Sequence, residues 1–137
     1  MTQSKNKVLL AYYQLKVQFE EIFKEIENLS EVEKSFSINQ RLLAQKEAYK
    51  NVCQTIDLNH EREEYLIKID LLSCEVPDLS LTFNCYCFEQ AFSLFKKFKN
   101  KDNYDFLFLY YVLKFHALYI LQEIENMQEF TIEELKE

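Results

Sequence analysis

Val8, Tyr12, Leu15, Phe19, Ile22, Ile26 and Leu29 follow one another at alternating steps of four and three residues. On a helix of 3.6 residues per turn that alternation keeps one apolar edge in register, the seam spacing of helices that face other helices. Leu9 and Phe23 widen the edge into a bundle face. The pattern predicts a helix over 5–29, with Glu20, Glu21, Glu25 and Glu27 largely on its opposite side.

The same stepping returns late in the chain, through Phe106, Tyr110, Leu113, Ala117, Ile120, Ile124 and Met127. From Phe106 to Leu121 only Lys114 and His116 are polar. A helix that is apolar on nearly every side is a central helix or a membrane helix. This run is shorter than the roughly 20 residues that span a bilayer and it holds an internal lysine, so it is read as the centre of a bundle. Thr131 with Glu134 predicts a separate, capped tail turn.

Between these two rods the signals are shorter. Ser30 with Glu33 and Ser37 with Gln40 both fit a capping box. A second helix is expected over 38–58, with Leu42, Tyr49, Val52 and Ile56 as its stripe, Gln45 interrupting it and Asn59 ending it. Apolar and polar residues alternate on either side of Pro77: Tyr65, Ile67, Ile69 and Leu71 before it, Leu79, Leu81, Phe83, Cys85 and Cys87 after it. That is the pattern of a hairpin within 64–88. Tyr65, Ile69, Leu72 and Val76 also share a helical face, and helix is preferred for 61–74; 77–84 is expected to be loop or extended chain. Phe88, Phe92, Phe95 and Phe98 mark a short helix whose last turn carries Lys96, Lys97 and Lys99, where cations complement the helix dipole. Asn100-Lys101-Asp102-Asn103 is the connection to the last rod.

Composition strengthens the helical reading. The 137 residues contain no glycine and one proline. Two-residue hairpin turns and phosphate-cradling loops lean on glycine, so its absence disfavours tight hairpins. It also removes the dinucleotide fingerprint, the P-loop and the nucleophile elbow together. The scarcity of other residues with GC-rich codons points to an AT-rich genome as part of the cause. A 48% apolar fraction is too high for a disordered chain. The reading is an all-α single domain over 1–137: a four- or five-helix antiparallel bundle with two long helices, with α+β as its alternative if the hairpin forms.

The formal net charge is −7. Direct binding to nucleic acid depends on neutralising phosphates and is therefore disfavoured, while a basic protein partner suits the charge. The chain opens on a charged amphipathic stretch with no apolar signal region, which points to a cytoplasmic protein with reduced thiols and no membrane partner. Homodimerisation is compatible with the seam spacing.

Several constellations were weighed for chemistry. Cys53, His60, Cys74, Cys85 and Cys87 are ligand types that zinc favours, but their spacing is not that of a zinc knuckle. Asp57 and His60 are half of a di-iron bundle motif. In His60-Glu61-Arg62-Glu63-Glu64 a zinc-protease motif lacks its second histidine. His116, within the most apolar helix, is expected to be a neutral, hydrogen-bonded core residue. No cofactor or metal is assigned.

The acidic rows and the surplus tyrosines are the remaining candidates. Tyr12-Tyr13 and Tyr110-Tyr111 are adjacent pairs, so one ring of each should leave the seam. The expected partner-binding residues are Glu20, Glu21, Glu25, Glu27, Tyr13 and Tyr111. The function that follows is a non-catalytic acidic protein-binding module, such as an inhibitor, an immunity or anti-defence factor or an adaptor. The alternative is a helical-bundle metal-binding protein or enzyme using His60, His116 and the cysteines.

Overall fold

A computed structural model describes residues 2–61 and 76–136. These form four helices: α1 (Thr2–Glu27), α2 (Ile38–Glu61), α3 (Leu79–Lys96) and α4 (Tyr104–Lys136), with a short 3-10 helix, Ser30–Ser35, between α1 and α2. Among the described residues there is no strand. The helix preferred over the hairpin for 61–74 lies outside the described residues, apart from Glu61, which ends α2.

The helix α4 is the centre. It packs against each of the other three, most extensively against α1. At about 1.5 Å per residue its 33 residues run for about 50 Å and the 26 of α1 for about 39 Å. Cross-links fix the directions. Lys5 Nζ donates to the Glu134 carbonyl and Lys16 Nζ lies 3.5 Å from Glu125, so α1 and α4 are antiparallel. The Tyr104 hydroxyl donates to Glu47 and His60 meets Tyr119, so α2 runs parallel to α4. Asn84 meets His116 while Phe95 stacks on Phe106 at 4.4 Å, so α3 runs antiparallel to α4. Helices consecutive in the chain therefore alternate in direction, as in an antiparallel bundle.

Why α4 sits in the middle follows from its sequence. Leu107, Tyr111, Val112, Leu113 and His116 are all buried, and helical spacing points them in several directions around the helix. Neighbours on three sides are needed to cover them. The neighbour α1 supplies its predicted seam, with Tyr12, Phe19 and Ile26 buried. From α3 come Phe88 and Phe95, and Phe88 also meets Phe19 of α1 at 5.2 Å. Two alanines, Ala44 and Ala48, are buried on α2, with Val52 and Asn59 further along.

That last face departs from expectation. Leu42 and Tyr49, placed by their size on the α2 stripe, are exposed. The small alanines face inward instead, and a helix presenting alanine approaches its neighbour closely. Other boundaries move too. Asn59 does not end α2 but is buried within it. Thr131 opens no tail turn; it is buried inside α4 and its hydroxyl donates to the Met127 carbonyl one turn back. The Ser37–Gln40 capping box forms as expected, with Ser37 N–H on Gln40 Oε1 and Gln40 N–H on Ser37 Oγ. Ser30 begins a 3-10 helix without a side-chain cap.

The largest correction concerns 77–88. The alternation through Leu79, Leu81, Phe83, Cys85 and Cys87 belongs to a helix and not to loop or strand, which removes the α+β alternative. Asp78 starts that helix, its Oδ1 accepting from the Leu81 N–H at 2.9 Å. The inward face of α3 includes Ser80, Leu81, Asn84 and Phe88, so two of its core positions are polar. Those two residues erased the 3.6-residue apolar period and left a chance period of two.

Candidate functional site

Two regions carry the molecule's unusual chemistry. The first is the outer face of α1. Helical spacing puts Leu10, Tyr13 and Val17 next to one another on the side away from α4. They are 56%, 47% and 56% exposed. The strip continues into Lys24. Glu20 and Glu21 lie one turn beyond Val17 and border the apolar strip at its C-terminal end, and Glu25 and Glu27 continue the acidic surface on either side of Lys24, all four exposed. Lys16, on the Glu20 side, pairs with both Glu20 and Glu125 and ties the rim to α4. The result is an apolar strip with an acidic border at its C-terminal end.

Of the expected partner-binding residues, Glu20, Glu21, Glu25, Glu27 and Tyr13 therefore share this face. Tyr111 does not. It is 2% exposed, and its ring stacks on Phe115 at 6.2 Å. The rule of one ring out per pair holds for Tyr12 and Tyr13 but fails for Tyr110 and Tyr111, because α4 is enclosed on both sides at that level. The Tyr110 hydroxyl lies deep enough that burial, then the nearby Glu33 carboxylate, pushes its pKa up to about 12.

The second region is a polar seam inside the bundle, where α2, α3 and α4 meet. Asn84 Oδ1 accepts from Asn59 Nδ2 at 2.7 Å and from His116 Nε2 at 3.2 Å. Asn59 and Asn84 are 1% exposed and His116 is 3% exposed. The Cys87 thiol lies 3.8 Å from the Asn59 amide. Because Asn84 Oδ1 can only accept, the network assigns the His116 proton to Nε2. Nearer the surface, Ser80 Oγ lies 3.1 Å from His60 Nδ1, and His60 Nε2 lies 3.4 Å from the Tyr119 hydroxyl. Burial pushes the Tyr119 pKa up to about 12, with Glu123, Asp78 and Asp57 acting in the same direction.

This arrangement separates the two histidines. His116 is a neutral core residue, its pKa lowered to about 4 by burial. His60 belongs to a different hydrogen-bonded group. Among the described residues no three His, Cys, Asp or Glu side chains converge as metal ligands. Cys53, Cys85 and Cys87 are half-buried, reduced thiols, and Cys74 lies outside the described residues.

A pH dependence follows. In the fold His116 stays neutral down to about pH 4, whereas the unfolded chain protonates it near pH 6.5. Between those values the unfolded state binds more protons, so this contribution is complete above pH 6.5 and declines as pH falls towards 4. The decline is worth about 3 kcal/mol. Urea unfolding of the wild type should therefore lose about that much more between pH 7 and pH 4 than unfolding of His116→Gln. Equal losses would show that His116 is not buried as described.

Sequence reasoning missed Asn59, Asn84 and Ser80. Asparagine and serine read as helix ends and turns when nothing shows what they face. The one available signal was Asp78 directly after Pro77 as a helix start, since counting from it places Ser80 and Asn84 one turn apart. No protein-family description, curated protein or solved structure matches this chain.

Proposed function

We propose that the protein is a non-catalytic binding module, an acidic helical inhibitor, immunity or anti-defence factor or adaptor, which docks to a larger basic protein through the outer face of α1. The observation that carries this reading is the exposure of Leu10, Tyr13 and Val17 side by side on one face, which runs directly into four exposed carboxylates beyond Val17. An apolar centre with a charged border is the anatomy of a protein contact surface, with tyrosine enriched at its centre. The net charge of −7 selects a partner whose matching surface is bordered by lysine and arginine. In this reading Tyr13 is the anchor, and Glu20, Glu21, Glu25 and Glu27 steer and orient the encounter.

Photo-crosslinking in native host extract tests the reading. A benzophenone amino acid at position 13 should trap a basic protein, and the yield should collapse in about 1 M NaCl, where the Debye length is about 3 Å. The same probe at position 86, an exposed tyrosine on α3, should not trap that protein. Equal trapping from both positions, a salt-independent yield, or a second copy of this chain as the trapped species would overturn the proposal.

A further inference from the structure

A separate feature lies between α2 and α4: an open groove of about 400 Å³, with Tyr49, Ile56 and Asp57 on one wall and Phe115, Leu118 and Tyr119 on the other. Its surface is mostly apolar, and none of its lining residues is basic. The Tyr49 ring stands edge-on to Phe115 at 6.1 Å and 85°, while Tyr49 itself remains 63% exposed. One aromatic face is thus open along the groove. At the other end Tyr119 is fixed by its contact with His60.

Among the described residues the charges named at this end have one sign. Asp57 lines the groove, and among the described residues it has no ion-pair partner. Asp78 and Glu123 lie close enough to act on the Tyr119 hydroxyl together with Asp57. The groove therefore combines an apolar trough, aromatic faces, and a negative end with no lysine or arginine among its described lining residues.

We infer that this groove binds a small organic cation with an apolar body, of the arylalkyl-ammonium class. Its hydrocarbon part would lie against Ile56, Leu118 and Phe115. Its ammonium would sit beside Asp57 and the Tyr119 ring, whose quadrupole attracts a cation, and its apolar end would reach the open face of Tyr49. The volume is within the range of small-molecule sites. An anion of the same shape is repelled by the same carboxylates. The groove shares no residue with the α1 face, so the two proposals stand or fall separately.

The test is a two-dimensional NMR titration of the full chain with three probes of matched shape: 3-phenylpropylammonium, 3-phenylpropanol and 3-phenylpropionate. The ammonium should give saturable shifts centred on residues 49–57 and 115–119. The alcohol should bind more weakly, and the carboxylate should not bind. Asp57→Asn should weaken the ammonium about tenfold, through loss of a charge-assisted contact. Tyr49→Leu, which keeps an apolar wall and removes the ring against which the aryl end packs, should weaken it about two- to fivefold. Both residues are exposed, so both variants should retain the wild-type circular dichroism spectrum. No saturable binding by about 10 mM would overturn the inference. So would a carboxylate that binds as well as the ammonium, an unchanged affinity in Asp57→Asn, or shifts centred elsewhere.

Discussion

Replacing Asn84 by leucine is expected to lower the unfolding free energy by about 2–5 kcal/mol, as measured by urea denaturation. The volume change is small, so the loss is not a cavity effect. Asn84 Oδ1 is the shared acceptor for Asn59 Nδ2 and His116 Nε2, and both donors lie in buried residues. Leucine leaves each donor without that partner, at about 1–3 kcal/mol apiece. Small domains are stable by about 5–15 kcal/mol, so this single change removes a large share of the total. The same change made after Asn59→Leu should cost less, because one of the two donors is already gone. A loss below about 1 kcal/mol in the single variant would mean that the polar seam is solvated or rearranged.

The second large effect concerns association. Reversing Glu20, Glu21, Glu25 and Glu27 to lysine should slow binding to the partner trapped from position 13 by roughly 10- to 1,000-fold at low ionic strength. Rim charges act mainly on the on-rate and its salt dependence, so the wild type and the variant should converge as salt rises. All four residues are exposed, and Lys16 has Glu125 as a second partner, so the variant should keep the wild-type unfolding free energy to within about 1 kcal/mol. Tyr13→Ala should act differently, raising the off-rate with little change in salt dependence. A variant with all four charges reversed that binds as fast as the wild type at low salt would remove the acidic border from the account.

How much was legible in the sequence depended on whether the inward positions are apolar. In α1 and α4 they are. The four-three stepping picked out Tyr12, Phe19 and Ile26, and Leu113, Ala117, Ile120 and Ile124, all of which are buried. It also placed α4 at the centre, which its packing against all three other helices bears out. In α2 and in the first half of α3 several inward positions are small or polar. Ala44, Ala48 and Asn59 face the core while the larger Leu42 and Tyr49 lie outside, and Ser80 and Asn84 interrupt the apolar face of α3. Hydrophobicity assigns the inside to the larger apolar group, so the α2 stripe was right at Val52 and Ile56, which pack into the core, and wrong at Leu42 and Tyr49. It could not register the α3 face at all until Phe88.

The candidate sites follow the same division. The acidic border of α1 was readable because a helix with one known inward edge fixes where every other residue points. Leu10 and Val17 complete that surface because they fall on the outward side of the same frame. The polar seam and the groove were not readable. Each is made by residues from different helices, and a stripe on one helix does not reveal which stripe it will meet. Tyr111 shows the limit: its neighbour Tyr110 lies on the predicted seam, yet both are enclosed because α2 and α1 close over α4 together.

Everything rests on α4 being one uninterrupted rod with the other three helices laid along it. Native-state hydrogen exchange tests this directly. The amides from Leu107 to Ile124 should exchange as a single slowest block, with an opening free energy equal to that of global unfolding. A break in that block near its middle, or a slowest core located in α2 or α3, would contradict the architecture and the outward face of α1 that depends on it.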